Sequence, residues 1–143
     1  MNVKTILAAK GGDIISIEPT ADLAAAAKLL SKHRIGAVVI CGAGGRLSGI
    51  LSERDIVRAV AEHGASALAI PVGQVMTRNV ITCGENDSIS DLMERMTAGK
   101  FRHMPVLKSD RLIGVISIGD VVKSRVQEIE SDAAAMRDYI QTA

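Results

Sequence analysis

The sequence predicts an α+β fold built from two pseudo-symmetric β-α-β-β-α repeats. Three observations carry this prediction. The first is an internal duplication: Arg46–Val57 (RLSGILSERDIV) aligns with Arg111–Val122 (RLIGVISIGDVV), six of the twelve positions are identical, and three more exchange one aliphatic residue for another. The second is that β-type and helical periodicities follow one another in the same order in both halves. The third is composition. Of 143 residues, 48% are hydrophobic, with one Phe, one Tyr and no Trp, so the core is aliphatic. A repeat of roughly 60 residues lies near the lower limit for burying a core of its own, and the two should pack together.

Each repeat opens on a β-rich run, Asp13–Ile17 in the first and Asn79–Cys83 in the second. Polar residues that can cap free N–H groups come next, Thr20–Asp22 and Asn86–Ser88. They start helices marked by Leu23, Ala26, Ala27 and Leu30, and by Ile89, Leu92, Met93 and Met96. A hairpin follows in each: Ala37–Cys41 with Leu47–Leu51, and Met104–Leu107 with Leu112–Ile116. A second helix begins at Ser52 or Ser117. The expected boundaries are 1–66 for the first repeat, 72–131 for the second and 132–143 for an extension of the last helix, with Gly64–Gly73 read as the linker. In that last helix Val122, Val126, Ile129, Ala133, Met136 and Ile140 form a heptad seam. Two readings of the seam stand: the helix lies back on its own domain, or the seam joins a larger self-association interface.

Charge and cysteine content exclude several classes. Seventeen Lys plus Arg against sixteen Asp plus Glu leave a formal charge of +1, without the basic stripe that duplex DNA binding needs. The lack of aromatic residues argues against base-stacking platforms. No apolar run reaches the length of a membrane span, and the stretch Ile6–Ala9 is too short for a signal peptide. Cys41 and Cys83 fit no metal or redox spacing, so a cytoplasmic location with reduced thiols is expected. Three scattered His, no His-Glu-x-x-His, no nucleophile elbow and no P-loop lysine motif argue against an enzyme.

The residues with chemical potential recur at equivalent places. Gly49-Ile50-Leu51-Ser52-Glu53-Arg54-Asp55 and Gly114-Val115-Ile116-Ser117-Ile118-Gly119-Asp120 each end a strand in Ser-x-x-Asp where a helix begins. That pattern is a capping box, which explains Ser and Asp with no ligand. The same hydroxyl and carboxylate can also accept from the vicinal hydroxyls of a ribose, while the helix N-terminus receives a phosphate. Phe101-Arg102-His103-Met104-Pro105-Val106 brings two adjacent cations into an apolar strand, and the guanidinium fork of Arg suits phosphate oxygens. A surface Arg beside a satisfied His is the simpler account. The first repeat has Gly36 and Ala37 there, small enough for a ligand to approach the backbone. Arg54 is a third cation; Gly119 replaces it in the second repeat, so two sites would differ in affinity.

With these motifs in register, the chain resembles a tandem pair of CBS (cystathionine-beta-synthase) domains, a Bateman module. The resemblance implies two repeats meeting through their sheets, with related clefts between them that take AMP, ADP or ATP, and in some members S-adenosylmethionine or NAD(H). No cofactor is required. By position, Asp55 and Asp120 would hold ribose hydroxyls with Ser52 and Ser117 beside them, and Arg102 and His103 would contact phosphate. Ser16 and Thr82, with the backbone around Ile35, Gly36, Ala37, Met104 and Pro105, would line an adenine slot. Aliphatic side chains such as Ile35, Val39, Met104 and Val106 would hold the base. Ser stands at 52 and 117 where the family more often has Thr, which keeps the hydroxyl. The resemblance also implies a homodimer, a disc of four CBS units, acting on a separate effector protein; neither a membrane nor nucleic acid is an expected partner. The rival readings are a ligand-free interaction scaffold and a catalyst.

Overall fold

A computed structural model describes residues 1–11 and 13–142. Gly12 and Ala143, which the expected boundaries include, lie outside the described residues. The chain forms two compact units. One is Ile14–Ile81; the other joins Thr82–Ala143 to Met1–Asp13.

In the unit Ile14–Ile81 a three-stranded sheet has the order β1 (Ser16–Ile17), β2 (Ala37–Cys41), β3 (Leu47–Ser52). β1 runs parallel to β2, with Ser16 beside Val39, and β2 runs antiparallel to β3, with Ala37 opposite Ser52. Helix α2 (Leu23–His33) starts where Asp22 Oδ1 accepts the Ala25 N–H at 2.9 Å. It ends on Arg34 in the left-handed conformation, φ 53°. α2 and helix α3 (Glu53–His63) cover one face of the sheet, burying Leu23, Ala26, Leu30 and Ala59 against Val38, Ile40 and Leu51. The stretch read as a linker is ordered. It forms a 3-10 segment, Gly64–Ala69, and a short helix α4 (Val72–Val75), and Ala67 and Val72 are fully buried in this core.

The other unit repeats the plan. Helix α5 (Ile89–Gly99) is capped by Ser88, whose Oγ accepts the Asp91 N–H at 3.1 Å, and Lys100 ends it in the left-handed region as Arg34 ends α2. Strands β4 (His103–Lys108) and β5 (Arg111–Ser117) form a hairpin with His103 opposite Ser117. Its two-residue turn, Ser109-Asp110, takes positive φ at both positions, which matches the twist of the strands it joins. Helix α6 (Ile118–Thr142) follows directly. Its first turns join the core through Val121, alongside Ile89, Leu92, Met96, Met104, Val106 and Ile116.

Two further expectations change. The opening β-runs shrink to Ser16–Ile17 in one unit and to a single parallel bridge, Cys83 with Val106, in the other. The N-terminal stretch, read only as too short for a signal peptide, is helix α1 (Val3–Lys10), capped by Asn2 Oδ1 on the Thr5 N–H at 3.1 Å. Val3 and Ile6 are buried in the core of the second repeat, not the first. Its backbone is anchored there as well, with the Val3 N–H donating to Asp87 O at 3.0 Å and the Lys4 N–H to Glu85 O at 2.9 Å.

The motif glycines show why α1 belongs there. A Cβ on Gly114 would lie 2.6 Å from Leu7 Cδ2 of α1, and a Cβ on Gly49 would lie 2.6 Å from Thr77 O and 2.7 Å from Met76 Sδ. In one unit α1 lies on the sheet; in the other, α4 and the residues after it do. The segment leading into each repeat therefore packs on the other repeat's sheet.

Gly49→Ala forces a side chain onto a backbone carbonyl, and we expect a loss of about 1–3 kcal/mol, read as a lower urea midpoint. Gly84 has no neighbour within 4 Å and no positive φ, so Gly84→Ala should leave the midpoint near wild type. Equal midpoints for the two variants would contradict the close approach at Gly49.

Candidate functional site

The two Ser-x-x-Asp turns form the same hydrogen-bonded device. In the first, Asp55 N–H donates to Ser52 Oγ at 3.3 Å, and Ser52 N–H returns to Asp55 Oδ2 at 2.9 Å. Ser52 Oγ also donates to Oδ2 at 3.1 Å. Asp55 is 5% exposed, and its other oxygen, Oδ1, accepts from Arg58 at 2.9 Å. In the second turn, Asp120 N–H donates to Ser117 Oγ at 3.1 Å and Ser117 N–H donates to Asp120 Oδ2 at 2.9 Å. The capping box expected from the sequence is thus complete at both turns.

The countercharges differ. Lys10, the last residue of α1, donates to Asp120 Oδ2 and to Val115 O, each at 2.7 Å. Burial pushes the Asp120 carboxyl up, but the Lys10 ammonium and the hydrogen bonds from Ser117 outweigh it and hold the group below its ordinary 3.8. The hydrogen bonds to Asp120 from the described residues all fall on Oδ2, so Oδ1 keeps its lone pairs for a hydroxyl donor. At Asp55 both oxygens are engaged, but the Arg58 side chain is 61% exposed and held by a single contact, so it can yield.

Strand pairing gathers the sequence-predicted residues into two sets. Ala37 lies opposite Ser52, and the Glu53 N–H donates to Gly36 O at 2.9 Å, which seats Ile35, Gly36 and Ala37 beside the first turn. Arg54 follows there on the exposed start of α3, and Ser16 sits two residues along the sheet, beside Val39. In the other unit His103 lies opposite Ser117, and the Ile118 N–H donates to Arg102 O at 2.7 Å. Arg102 is exposed, His103 and Thr82 are half-buried, and Pro105 is buried. The Cys83 N–H donates to Pro105 O at 3.0 Å and brings Thr82 to the same strand.

The expected aliphatic slot needs correction. Met104 and Val106 are fully buried in the core shared with α5 and α6, so their side chains cannot line a cleft and only the Met104 backbone can contribute; Val39 is fully buried as well, and of the four expected side chains Ile35 alone is partly exposed. Strand alternation puts His103 and Pro105 on the other face, where the first repeat has Ala37 and Val39. A cavity of about 490 Å³ adjoins the first set, lined by Leu30, Arg34, Ile35, Gly36, Glu53 and Ile56 among others. Of the sequence-predicted residues it takes in Ile35 and Gly36.

Sequence reasoning missed two charged partners. Arg58 follows Asp55 at i+3, a spacing that places the two on one helical face. Lys10 is 110 positions from Asp120. The only available signal was local: Asn2 as an N-cap before Val3, Ile6 and Leu7 at helical spacing.

The model of the CBS domain matches residues 4–62 and 72–126. The chain belongs to the CBS-domain family. Over 120 residues it is 36% identical to the mitochondrial CBS domain-containing protein CBSX3 of Arabidopsis thaliana, a match that covers 81% of this chain but 58% of that protein. Among solved structures, the CBS-domain containing protein ATU1752 from Agrobacterium tumefaciens is 48% identical, with a TM-score of 0.85 and coverage of 87% of this chain and 92% of the other. The CBS domain pair of MJ0100, solved with 5-methylthioadenosine and S-adenosyl-L-methionine, is 27% identical at a TM-score of 0.80, covering 90% and 98%. The CBS domain protein PAE2072 from Pyrobaculum aerophilum, complexed with AMP, is 28% identical at a TM-score of 0.74, covering 84% and 89%. No helix among the described residues of this CBS pair is long and apolar enough to cross a membrane.

Because the folded Asp120 carboxyl sits below its ordinary value, its contribution to stability is complete above pH 3.8 and is lost as pH falls through the depressed folded value. Replacing the ammonium in Lys10→Met should raise the Asp120 titration midpoint, read by carboxyl-carbon NMR, and flatten the acid limb of the stability profile. An unchanged midpoint would show that the Lys10 contact does not persist in solution.

Proposed function

We propose that this chain is a non-catalytic regulatory module that binds an adenosine-containing ligand, AMP, ADP or ATP, at its two Ser-x-x-Asp turns. As a homodimer it passes the ligand state to a separate partner protein. The observation that carries this reading is the recurrence, in both units, of a hydroxyl and a carboxylate at a strand-to-helix turn beside the entry to an antiparallel strand. The related structures solved with AMP and with S-adenosyl-L-methionine support the ligand class.

The chemistry follows from the groups present. A ribose presents two adjacent hydroxyl donors, and an ionised carboxylate offers acceptors spaced to take both. A phosphate at the same turn meets the free N–H groups and positive end of α3 or α6. The exposed Arg102 guanidinium adds charge in one unit and Arg54 in the other. Ala37 and Gly36 leave room at the first turn where Arg102 and His103 crowd the second, so the two turns should bind unequally. S-adenosylmethionine and NAD(H) share the adenosine and stay as alternative ligands. The free thiols Cys41 and Cys83 suit a reducing compartment such as the cytoplasm.

A ligand-free scaffold is the second reading, and the completed capping boxes favour it, since each carboxylate already has partners. Thermal melting with AMP, ADP, ATP, NADH and S-adenosylmethionine separates the two. A ligand at a hundredfold excess over its Kd stabilises the native state by about 2.7 kcal/mol. We expect that gain for at least one adenine nucleotide. Asp55→Asn and Asp120→Asn, which keep an oxygen for the cap, should each weaken one site about tenfold or more by losing a charge-assisted hydrogen bond. No gain with any ligand at millimolar concentration would leave the scaffold.

A further inference from the structure

The heptad seam of α6 is uncovered. Val122, Val126, Ile129, Met136 and Ile140 are between 45% and 66% exposed, while the helix docks on its own unit through Val121 and Ser124 on another face. The reading in which the seam lies back on its own domain therefore fails for the described residues. An exposed row of this kind is uncommon unless something covers it.

The helix itself says what covers it. With Val126, Ala133 and Ile140 at the a positions and Val122, Ile129 and Met136 at d, the flanking g positions hold Arg125 and Asp132, and the e positions hold Lys123, Glu130 and Arg137. In a parallel pair, g of one heptad faces e of the next heptad on the partner. Arg125 then meets the second copy's Glu130, and Asp132 meets its Arg137: opposite charges in both cases, each repeated by the two-fold axis. An antiparallel pair with the whole seam overlapped sets Glu130 against Glu130, Asp132 against Asp132 and Lys123 against Arg137, all like charges, and sliding it by one heptad to relieve them leaves Met136 and Ile140 uncovered. Glu130, Asp132 and Arg137 have no ion-pair partner among the described residues. Arg125 is bonded to Glu128 at 2.6 Å, but its guanidinium has donors to spare.

We propose that α6 pairs in parallel with α6 of a second copy of this chain through the seam Val122–Ile140, with orientation set by the Arg125–Glu130 and Asp132–Arg137 contacts between copies. The seam is too short to hold a dimer alone, so it adds to a larger interface. The proposal deepens the homodimer reading and rests on it.

Sedimentation equilibrium of the full chain tests both. Wild type should be a dimer, and Met136→Asp with Ile140→Asp, at exposed positions that leave the fold intact, should weaken it about tenfold or more. Arg137→Asp should weaken the dimer, and adding Asp132→Arg should restore it. In a Cys41→Ser background, Ala133→Cys should form an interchain disulfide under mild oxidation far faster than Ser131→Cys, which lies on the outer face. If the seam variants dimerise like wild type, the seam is overturned and the homodimer reading stands. If Ala133→Cys crosslinks only to Ile129→Cys, the pairing is antiparallel and the proposal is wrong. A wild-type monomer at all concentrations overturns both.

Discussion

The constraint on which the rest depends is the exchange of leading segments between the two repeats. A β-α-β-β-α unit of this size leaves part of its sheet without cover, and the chain covers it with a helix that belongs, in sequence, to the other half. Leu7 presses on Gly114 and Met76 on Gly49, so the motif glycine in each hairpin is the surface on which the foreign segment lies. Each unit takes its covering segment from the sequence that leads into the other repeat: Val3 and Ile6 enter the core of the second repeat, and Val72 enters that of the first. The exchange also separates the two turns chemically. It delivers Lys10 to Asp120, whereas Asp55 draws its countercharge from Arg58 on its own helix.

The Ser-x-x-Asp turns show how structural and functional uses of the same atoms coexist. Each box satisfies N–H groups that a helix start leaves unpaired, a contribution of about 1 kcal/mol. It also fixes the rotamer of the carboxylate before any ligand arrives, which lowers the ordering cost of binding. The cap is therefore compatible with the proposed ribose contact as long as one carboxylate oxygen is open or only loosely held. That condition holds at Asp120, through Oδ1, and at Asp55, through the exposed Arg58.

What the sequence revealed was what is local or repeated. Helix starts at Asp22, Ser52, Ser88 and Ser117 were legible because capping chemistry lies within four residues of the helix. The hairpins were legible from paired apolar runs split by turn residues. The parity of Met104 and Val106 was not, because β4 is buried on both faces at 104–106 and its residues do not alternate between apolar and polar. Helix α1 was hidden for a different reason. Eight residues carry too weak a periodicity to stand alone, and what stabilises them is a sheet more than a hundred positions away.

Helix α6 gives the proposed function a physical route. Asp120 occupies its first turn and Ile140 its last, and the helix is continuous over 25 residues, about 37 Å at 1.5 Å per residue. A ligand hydroxyl on Asp120 Oδ1 would draw on the same carboxylate that Lys10 holds through Oδ2, and so act on α1. The N-terminal amine of that same segment lies 3.7 Å from Glu128 Oε2, two turns further along α6. One surface ion pair is worth little in itself. Here, however, it ties the far end of α1 to the part of α6 that carries the exposed seam. Ligand at the turn and a second copy on the seam would then bear on the same pair of helices. That is the arrangement in which binding at one can alter affinity at the other, and the coupling must by linkage be equal in both directions.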